Sequence, residues 1–188
     1  MLSRMKFMPR SLPRACKSSS RELCTLYGGM KEKYFRYLFE ERPPFIKLFG
    51  PKVDSLSKNK VSMSLEFKEE FVGNLRMPCL HGGVAATLID HCSGMCAWST
   101  LSDPHSTVST VDLRIDYLLP APCEKLICDA EIVQKGNKLI RVDAVLWNSS
   151  RESKIAIGRS LFNVYTVEVD MGAQMEKILT EEELKWEV

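Results

Sequence analysis

Gly82-Gly-Val-Ala-Ala-Thr-Leu-Ile-Asp90-His-Cys-Ser-Gly94-Met-Cys-Ala-Trp98-Ser-Thr-Leu101 is the stretch that decides the fold. It is apolar almost all round. A surface helix shows an apolar stripe and a polar face, so this segment predicts a helix buried on every side. Ala85, Ala86, Ser93, Gly94 and Ala97 are small enough to let neighbouring backbone come close. Gly94 in mid-helix costs about 1 kcal/mol relative to Ala, which close packing would offset. One buried helix cannot stay dry beneath a flat sheet; a sheet curled around it would enclose it.

The flanks supply that sheet. Upstream, Val61, Met63, Leu65 and Phe67 alternate with Ser62, Ser64, Glu66 and Lys68, which predicts a half-buried strand. Before it, Met30, Tyr34, Tyr37, Leu38 and Glu41 follow helical spacing. Pro43 and Pro44 end that helix, and a loop with Gly50 and Pro51 follows. Downstream of Pro104 the period becomes two: Val111, Leu113, Ile115 and Tyr117 alternate with Thr110, Asp112, Arg114 and Asp116. Pro120 and Pro122 end this strand, and three more are predicted at 126–134, 139–147 and 154–167. Gly136-Asn137 marks a tight hairpin between the first two, and 148–153 a polar loop before the last. Thr180 and Glu183 form a capping-box pattern for a short terminal helix. The expected order is helix, strand, buried helix, then four strands in an antiparallel meander. This is an α+β class with an antiparallel sheet wrapped around a central helix. It excludes a doubly wound fold, in which strands and helices alternate.

Composition narrows the class. The 188 residues are 45% hydrophobic and 27% charged, ordinary values for a folded chain of about one domain. The net charge of +2 conceals an asymmetry. No acidic residue precedes Glu22, while Arg4, Lys6, Arg10, Arg14, Lys17 and Arg21 do, with five serines among them. An Arg-rich, Ser-rich, acid-poor head has the composition of a mitochondrial transit peptide, so residues 1–25 are expected to be an address to the matrix, with the cytoplasm as the alternative location, and 26–170 the folded domain, with 171–188 a tail. The remaining 20 basic and 24 acidic residues make the body mildly negative, which argues against nucleic acid as a partner. No apolar run reaches the ~18 residues of a membrane span. Seven cysteines without a secretion signal predict reduced thiols.

The densest chemistry surrounds the helix start: Asn74, then His81-Gly82-Gly83, then Asp90. The first N–H groups of a helix lack intrahelical partners and carry partial positive charge, which makes an oxyanion site; glycines there allow close approach. Asp90 returns to the Gly83 face two turns on, roughly 10 Å along the axis. A carboxylate on a buried helix is costly unless paired or functional. That separation is too great for one Gly83 and one Asp90 to act on the same atom. Two helices antiparallel across a two-fold axis would bring Asp90 of one chain to Gly83 of the other, so the spacing hints at a dimer with shared sites.

The combination resembles the His-Gly-Gly-(x)6-Asp signature of hotdog-fold acyl-CoA thioesterases, in the branch named after phenylacetate catabolism (PaaI-like). The stretch Thr110-Val-Asp-Leu-Arg-Ile-Asp-Tyr-Leu-Leu-Pro-Ala121 is similar to that family's central strand, and Gly158-Arg-Ser-Leu-Phe162 to its last. The resemblance covers about residues 30–168. It implies a hotdog fold, an acyl-CoA substrate, hydrolysis without cofactor or metal, and a homodimer or homotetramer with active sites at the dimer interface. It also implies roles. Gly82, with Gly83 beside it, would polarise the thioester carbonyl. Asp90 of the partner chain would be nucleophile or general base. Asn74 and His81 would orient thioester and loop, and Thr110 would position the attacking water. Thr110 lies on the opposite strand face from Val111 and Leu113, so either it faces the site while they face elsewhere or a bulge intervenes.

Alternatives remain at this level. A non-catalytic hotdog protein that binds acyl-CoA or assists assembly would keep the same motif. A hotdog dehydratase would need a His–Asp dyad in another motif, absent here. Cys92 and Cys96 flank one helical face near His91, but the metal-type Cys-x-x-Cys spacing is missing, and small buried cysteines are the expectation. Lys135, Lys138, Arg151, Lys154 and Arg159 are candidate contacts for the nucleotide of coenzyme A.

Overall fold

The computed structural model describes residues 32–103 and 105–168, with side chains from residue 35 onward. The expected head at 1–25 and the terminal helix near Thr180 lie outside the described residues. Helix α1 (Glu32–Glu40) and the short α2 (Pro44–Phe49) lead into β1 (Pro51–Ser57) and β2 (Lys60–Leu65). A 3-10 turn (Glu69–Phe71) precedes the small ribbon β3 (Val72–Asn74) and β4 (Cys79–Leu80). Then come α3 (Gly82–Trp98), β5 (Ser106–Tyr117), β6 (Leu126–Lys135), β7 (Leu139–Trp147) and β8 (Lys154–Thr166).

The main sheet has six antiparallel strands in the order β1-β2-β6-β7-β8-β5. Its concave face wraps α3. Ile140, Val142, Ala144 and Leu146 of β7 point inward, while Leu139, Arg141 and Asp143 face out, the alternation of a one-sided sheet. Leu88, Ile89, Cys92, Met95 and Cys96 of α3 are fully buried against them. The thiols are part of that packing: Cys92 Sγ donates to the Cys128 carbonyl and Cys96 Sγ to those of Asn59 and Ala130. Burial pushes the Cys96 thiol up to about 12, so it stays protonated.

Three local expectations are corrected. The prolines at 43–44 not only end α1 but start α2: Pro44 is its first residue, where no N–H is needed, and Gly50 closes it at φ 80°. The segment after Gly50 is not a loop but β1. Its alternation is broken because the register against β2 slips between Val53 and Ser55, leaving Asp54 in a bulge. The last four strands are not one meander. Strands β6, β7 and β8 are, but β5 pairs with β8 at the far edge, and β6 pairs with β2. Pro120 and Pro122 preclude a tight hairpin after β5, and residues 118–125 cross back, with Leu118 and Leu119 N–H donating to the Ile155 carbonyl.

Gly158 in β8 sets how closely α3 lies on the sheet. A Cβ there would stand 2.3 Å from Ile89 Cγ2. Gly158→Ala must therefore lift the helix or twist Ile89, and denaturant unfolding is expected to show a loss of about 1–3 kcal/mol, the usual cost of overpacking. An unchanged midpoint would mean that the helix has slack at this point.

Candidate active site

The chain reaches α3 through the β3–β4 ribbon. Gly73 makes this possible, since a Cβ there would lie 2.6 Å from His81 Cα. His81 is the N-cap, with φ −63° and ψ 138°. Its N–H donates to the Phe71 carbonyl, and its carbonyl accepts from Val84 N–H. Its ring folds back so that Nδ1 accepts from the Gly83 N–H at 2.9 Å. In the neutral ring the proton is thus on Nε2. A Cβ on Gly83 would meet Nδ1 at 2.9 Å, so glycine is what admits the imidazole there.

This cap separates the two glycines. The Gly83 N–H is taken, whereas no described group accepts from the Gly82 N–H. Gly82 is exposed, and its carbonyl accepts from Tyr117 Oη at 3.0 Å. The first turn of α3 has no acidic residue to offset its partial positive charge. An anionic oxygen placed before Gly82 would meet one open donor at the positive end of a 17-residue helix.

Asp90 belongs to a different neighbourhood. Thr110 Oγ1 donates to its Oδ1 at 2.9 Å, leaving Oδ2 open to another partner. The strand contains the bulge: Thr110 pairs with Phe162 and Asp112 with Leu161, so Val111 is the extra residue. The bulge changes parity. Val108 and Thr110 face the cavity, and beyond it Leu113 and Ile115 turn toward the core. A cavity of about 560 Å³ opens at Asp90 and Thr110 and is roofed by Leu38, Phe39 and Ile46. Gly82 and Tyr117 line a second cavity, of about 330 Å³. Within one protomer Asp90 lies eight residues from Gly82, about 12 Å along the helix.

Asn74 stands apart from both. Its Oδ1 accepts from the N–H groups of Arg76 (2.9 Å) and Met77 (3.2 Å), capping the turn at 75–78. Neither Tyr117 nor His91 carries a motif that marks it as a site residue in the sequence. Tyr117 ends a predicted strand, and only tertiary pairing brings its hydroxyl to the helix start. His91 sits beside Asp90 in the larger cavity, where Nε2–H donates to the Phe39 carbonyl at 2.7 Å and the ring packs on Phe39. It ties α3 to α1.

Burial lowers the His91 pKa, outweighing the Phe39 carbonyl and the Asp90 charge, which both raise it. The sign follows. Below the ordinary value of 6.5 the unfolded chain binds the His91 proton and the folded chain resists it. Stability contributed by neutral His91 is therefore present above that value and lost as pH falls through it. Urea unfolding from pH 7.5 to 5.5 is expected to show a slope in wild type that His91→Gln reduces, by up to about 1.4 kcal/mol per unit for one proton. Parallel curves would place the acid sensitivity in other groups.

Comparison with known proteins bears on these two groups of residues. A family model described as the thioesterase superfamily matches residues 77–155. Acyl-coenzyme A thioesterase 13 of Mus musculus is 31% identical over 109 residues, 57% of this chain and 76% of that protein. The chain belongs to the thioesterase superfamily. The medium/long-chain acyl-CoA thioesterase YigI of Escherichia coli K12 is 29% identical to this thioesterase-superfamily chain over 127 residues, covering 61% of this chain and 81% of its relative. In fold, the chain matches a thioesterase from Haemophilus influenzae with TM-score 0.67 at 13% identity, over 77% of this chain and 97% of the other. A thioesterase family protein from Silicibacter pomeroyi gives 0.64 at 24%, over 72% and 98%. The matched region 77–155 begins just before the His81 cap, runs through Asp90 and Thr110, and extends into β8.

Proposed function

We propose that this protein hydrolyses acyl-CoA thioesters to a carboxylate and free coenzyme A, in sites each completed by two copies of the chain. The observation that carries the reading is the division of the machinery: Asp90 with Thr110 lines one cavity, and the open Gly82 N–H adjoins another. Neither alone holds both groups that thioester hydrolysis uses. Together they hold what a thioester requires, a donor for the carbonyl oxygen and a carboxylate at the carbonyl carbon. The activity also accords with the printed names of the Escherichia coli and Mus musculus relatives.

In this reading the Gly82 N–H of one copy receives the thioester oxygen and, with the helix dipole, stabilises the oxyanion. Asp90 of the other copy acts through Oδ2. As general base it takes a proton from water while the hydroxide adds to the carbonyl carbon; as nucleophile it adds directly, and water later cleaves the anhydride. In both cases the C–S bond breaks and the thiolate leaves, taking up a proton. Thr110 fixes the carboxylate rotamer through Oδ1. His81 holds the Gly83 amide, which keeps the helix start open at Gly82. Asn74 shapes the neighbouring turn.

The edge strand supports the dimer. Strand β5 has β8 on one side and no described strand on the other, although it runs for 12 residues and Val111 is 58% exposed. So long an unpaired edge invites pairing with another chain. A homodimer through β5, or a homotetramer built from such dimers, meets that demand. Among the described residues no helix is long and apolar enough to cross a membrane. The basic head supports delivery to the mitochondrial matrix, and a reporter carrying residues 1–25 that stays diffuse in the cytosol would refute this. The decisive assay follows thiol release from a panel of acyl-CoAs. Turnover supports the hydrolase; tight binding without turnover would leave an acyl-CoA carrier.

A further inference from the structure

Strand β5 sends two hydroxyls to α3: Thr110 donates to Asp90 and Tyr117 to the Gly82 carbonyl. The two stand seven residues apart. In an unbroken strand an odd separation puts two side chains on opposite faces. The extra residue at Val111 restores the parity, so both face the helix, one at Asp90 and one at the helix start. Tyr117 closes the pairing opposite Ala156, and the next two N–H groups, of Leu118 and Leu119, turn to the Ile155 carbonyl. The sheet therefore sets its backbone.

Folding does not require the bond that Tyr117 makes. The carbonyl of a first helical residue already accepts from the N–H four residues on. The tyrosine is 54% exposed, so water could serve its hydroxyl. The effect of the bond is local. Tyr117 Oη holds the Gly82 carbonyl at 3.0 Å, and His81 Nδ1 holds the Gly83 N–H at 2.9 Å. These groups are the two ends of one peptide plane. The preceding plane is held too, because the His81 carbonyl accepts from the Val84 N–H at 2.9 Å. With both planes fixed, the Gly82 N–H between them has one direction. Glycine has the most backbone freedom to lose, and helix ends fray, so without such a hold this donor would wander. A donor stabilises a developing oxyanion only when it is aimed beforehand.

Resting on the hydrolase reading, we propose that Tyr117 is a positioning residue: its hydroxyl locks the Gly82–Gly83 peptide so that the open Gly82 N–H points at the thioester oxygen, and it acts through that donor without touching the substrate.

The test is a double-mutant cycle on the full chain, read by thiol release from acyl-CoA: wild type, Tyr117→Phe, Gly82→Pro and the double variant. Tyr117→Phe keeps the ring and deletes only the hydroxyl. It is expected to lower kcat about five- to tenfold, the worth of one hydrogen bond, with KM changed less than about twofold. Proline at 82 has no N–H to aim. In that background the same Tyr117→Phe change is expected to alter kcat by less than about twofold. A spectroscopic readout is independent of turnover. A hydrogen bond to a carbonyl draws electron density from the nitrogen of the same peptide, so the Gly83 amide ¹⁵N resonance should move in Tyr117→Phe. An unmoved resonance, a wild-type kcat in Tyr117→Phe, or a raised KM at unchanged kcat overturns the inference. So does a full five- to tenfold loss in the Gly82→Pro background, which would make Tyr117 act on something other than the Gly82 donor. Wild-type turnover by Gly82→Pro itself removes the donor and this inference but leaves the hydrolase reading standing, whereas no hydrolysis of any acyl-CoA by wild type removes both.

Discussion

Asp90→Asn is expected to lower kcat by about 10²–10⁴-fold while KM for the same acyl-CoA changes little. The amide keeps the shape of the carboxylate and can still accept the Thr110 hydroxyl through its oxygen, so the cavity and the 2.9 Å contact have reason to persist. What it loses is the open, basic Oδ2. An asparagine can neither take a proton from water nor attack a carbonyl, and the residual rate would come from binding and the Gly82 donor alone. Because Asp90 sits half-buried in the larger cavity, neutralising it should not weaken the fold; Tm should hold or rise. A variant that folds, binds and still turns over at the wild-type rate would remove Asp90 from the chemistry.

The second large effect requires two broken chains. Gly82 is the first residue of α3, a position that suits proline, and His81 before it already has the extended backbone that a following proline demands. Gly82→Pro therefore deletes the one open N–H while disturbing the helix little. A ring Cβ would meet Tyr117 at 3.6 Å, an ordinary contact. Loss of one oxyanion donor is expected to cost about 10²–10³-fold in kcat. Co-folding this variant with Asp90→Asn discriminates further. If each site takes Gly82 from one copy and Asp90 from the other, a mixed dimer holds one doubly broken site and one intact site. Random pairing then restores about a quarter of wild-type activity from two nearly dead proteins. If each protomer were complete by itself, mixing would restore nothing. Coexpression with separable tags, followed by thiol release on the doubly purified mixed dimers, reads the difference directly, at about half of wild-type activity per dimer.

The contrast between what the chain reveals and what it hides has a physical basis. Helix α3 and strands β6 to β8 are legible because their signals are local: an apolar helix bounded by Gly82, a strict alternation in β7, turn residues between strands. Strand β1 escapes because Asp54 bulges out and shifts the inward residues from Val53 to Leu56, a spacing of three rather than two. The position of β5 escapes for another reason. Its partner is β8, some forty residues later, and nothing in the alternation of β5 says which strand it will meet. The site divides in the same way. Motif spacing picks out His81, Gly82, Gly83 and Asp90. Which glycine keeps a free N–H depends on how the His81 ring turns, and the Thr110–Asp90 contact depends on a pairing between distant segments.

The bulge at Val111 limits how this strand can change over evolutionary time. Deleting one residue between Thr110 and Leu113 would leave β5 able to pair with β8 along its whole length, yet it would reverse the facing of one half. Either Thr110 would swing away from Asp90, or Leu113 and Ile115 would be expelled from the core. A one-residue indel at this spot thus sets chemistry against folding, although it lies on an exposed edge where length variation is ordinarily tolerated. Descendants of this chain can change the side chain at 111 as far as the β5 edge permits, but they must keep a residue there.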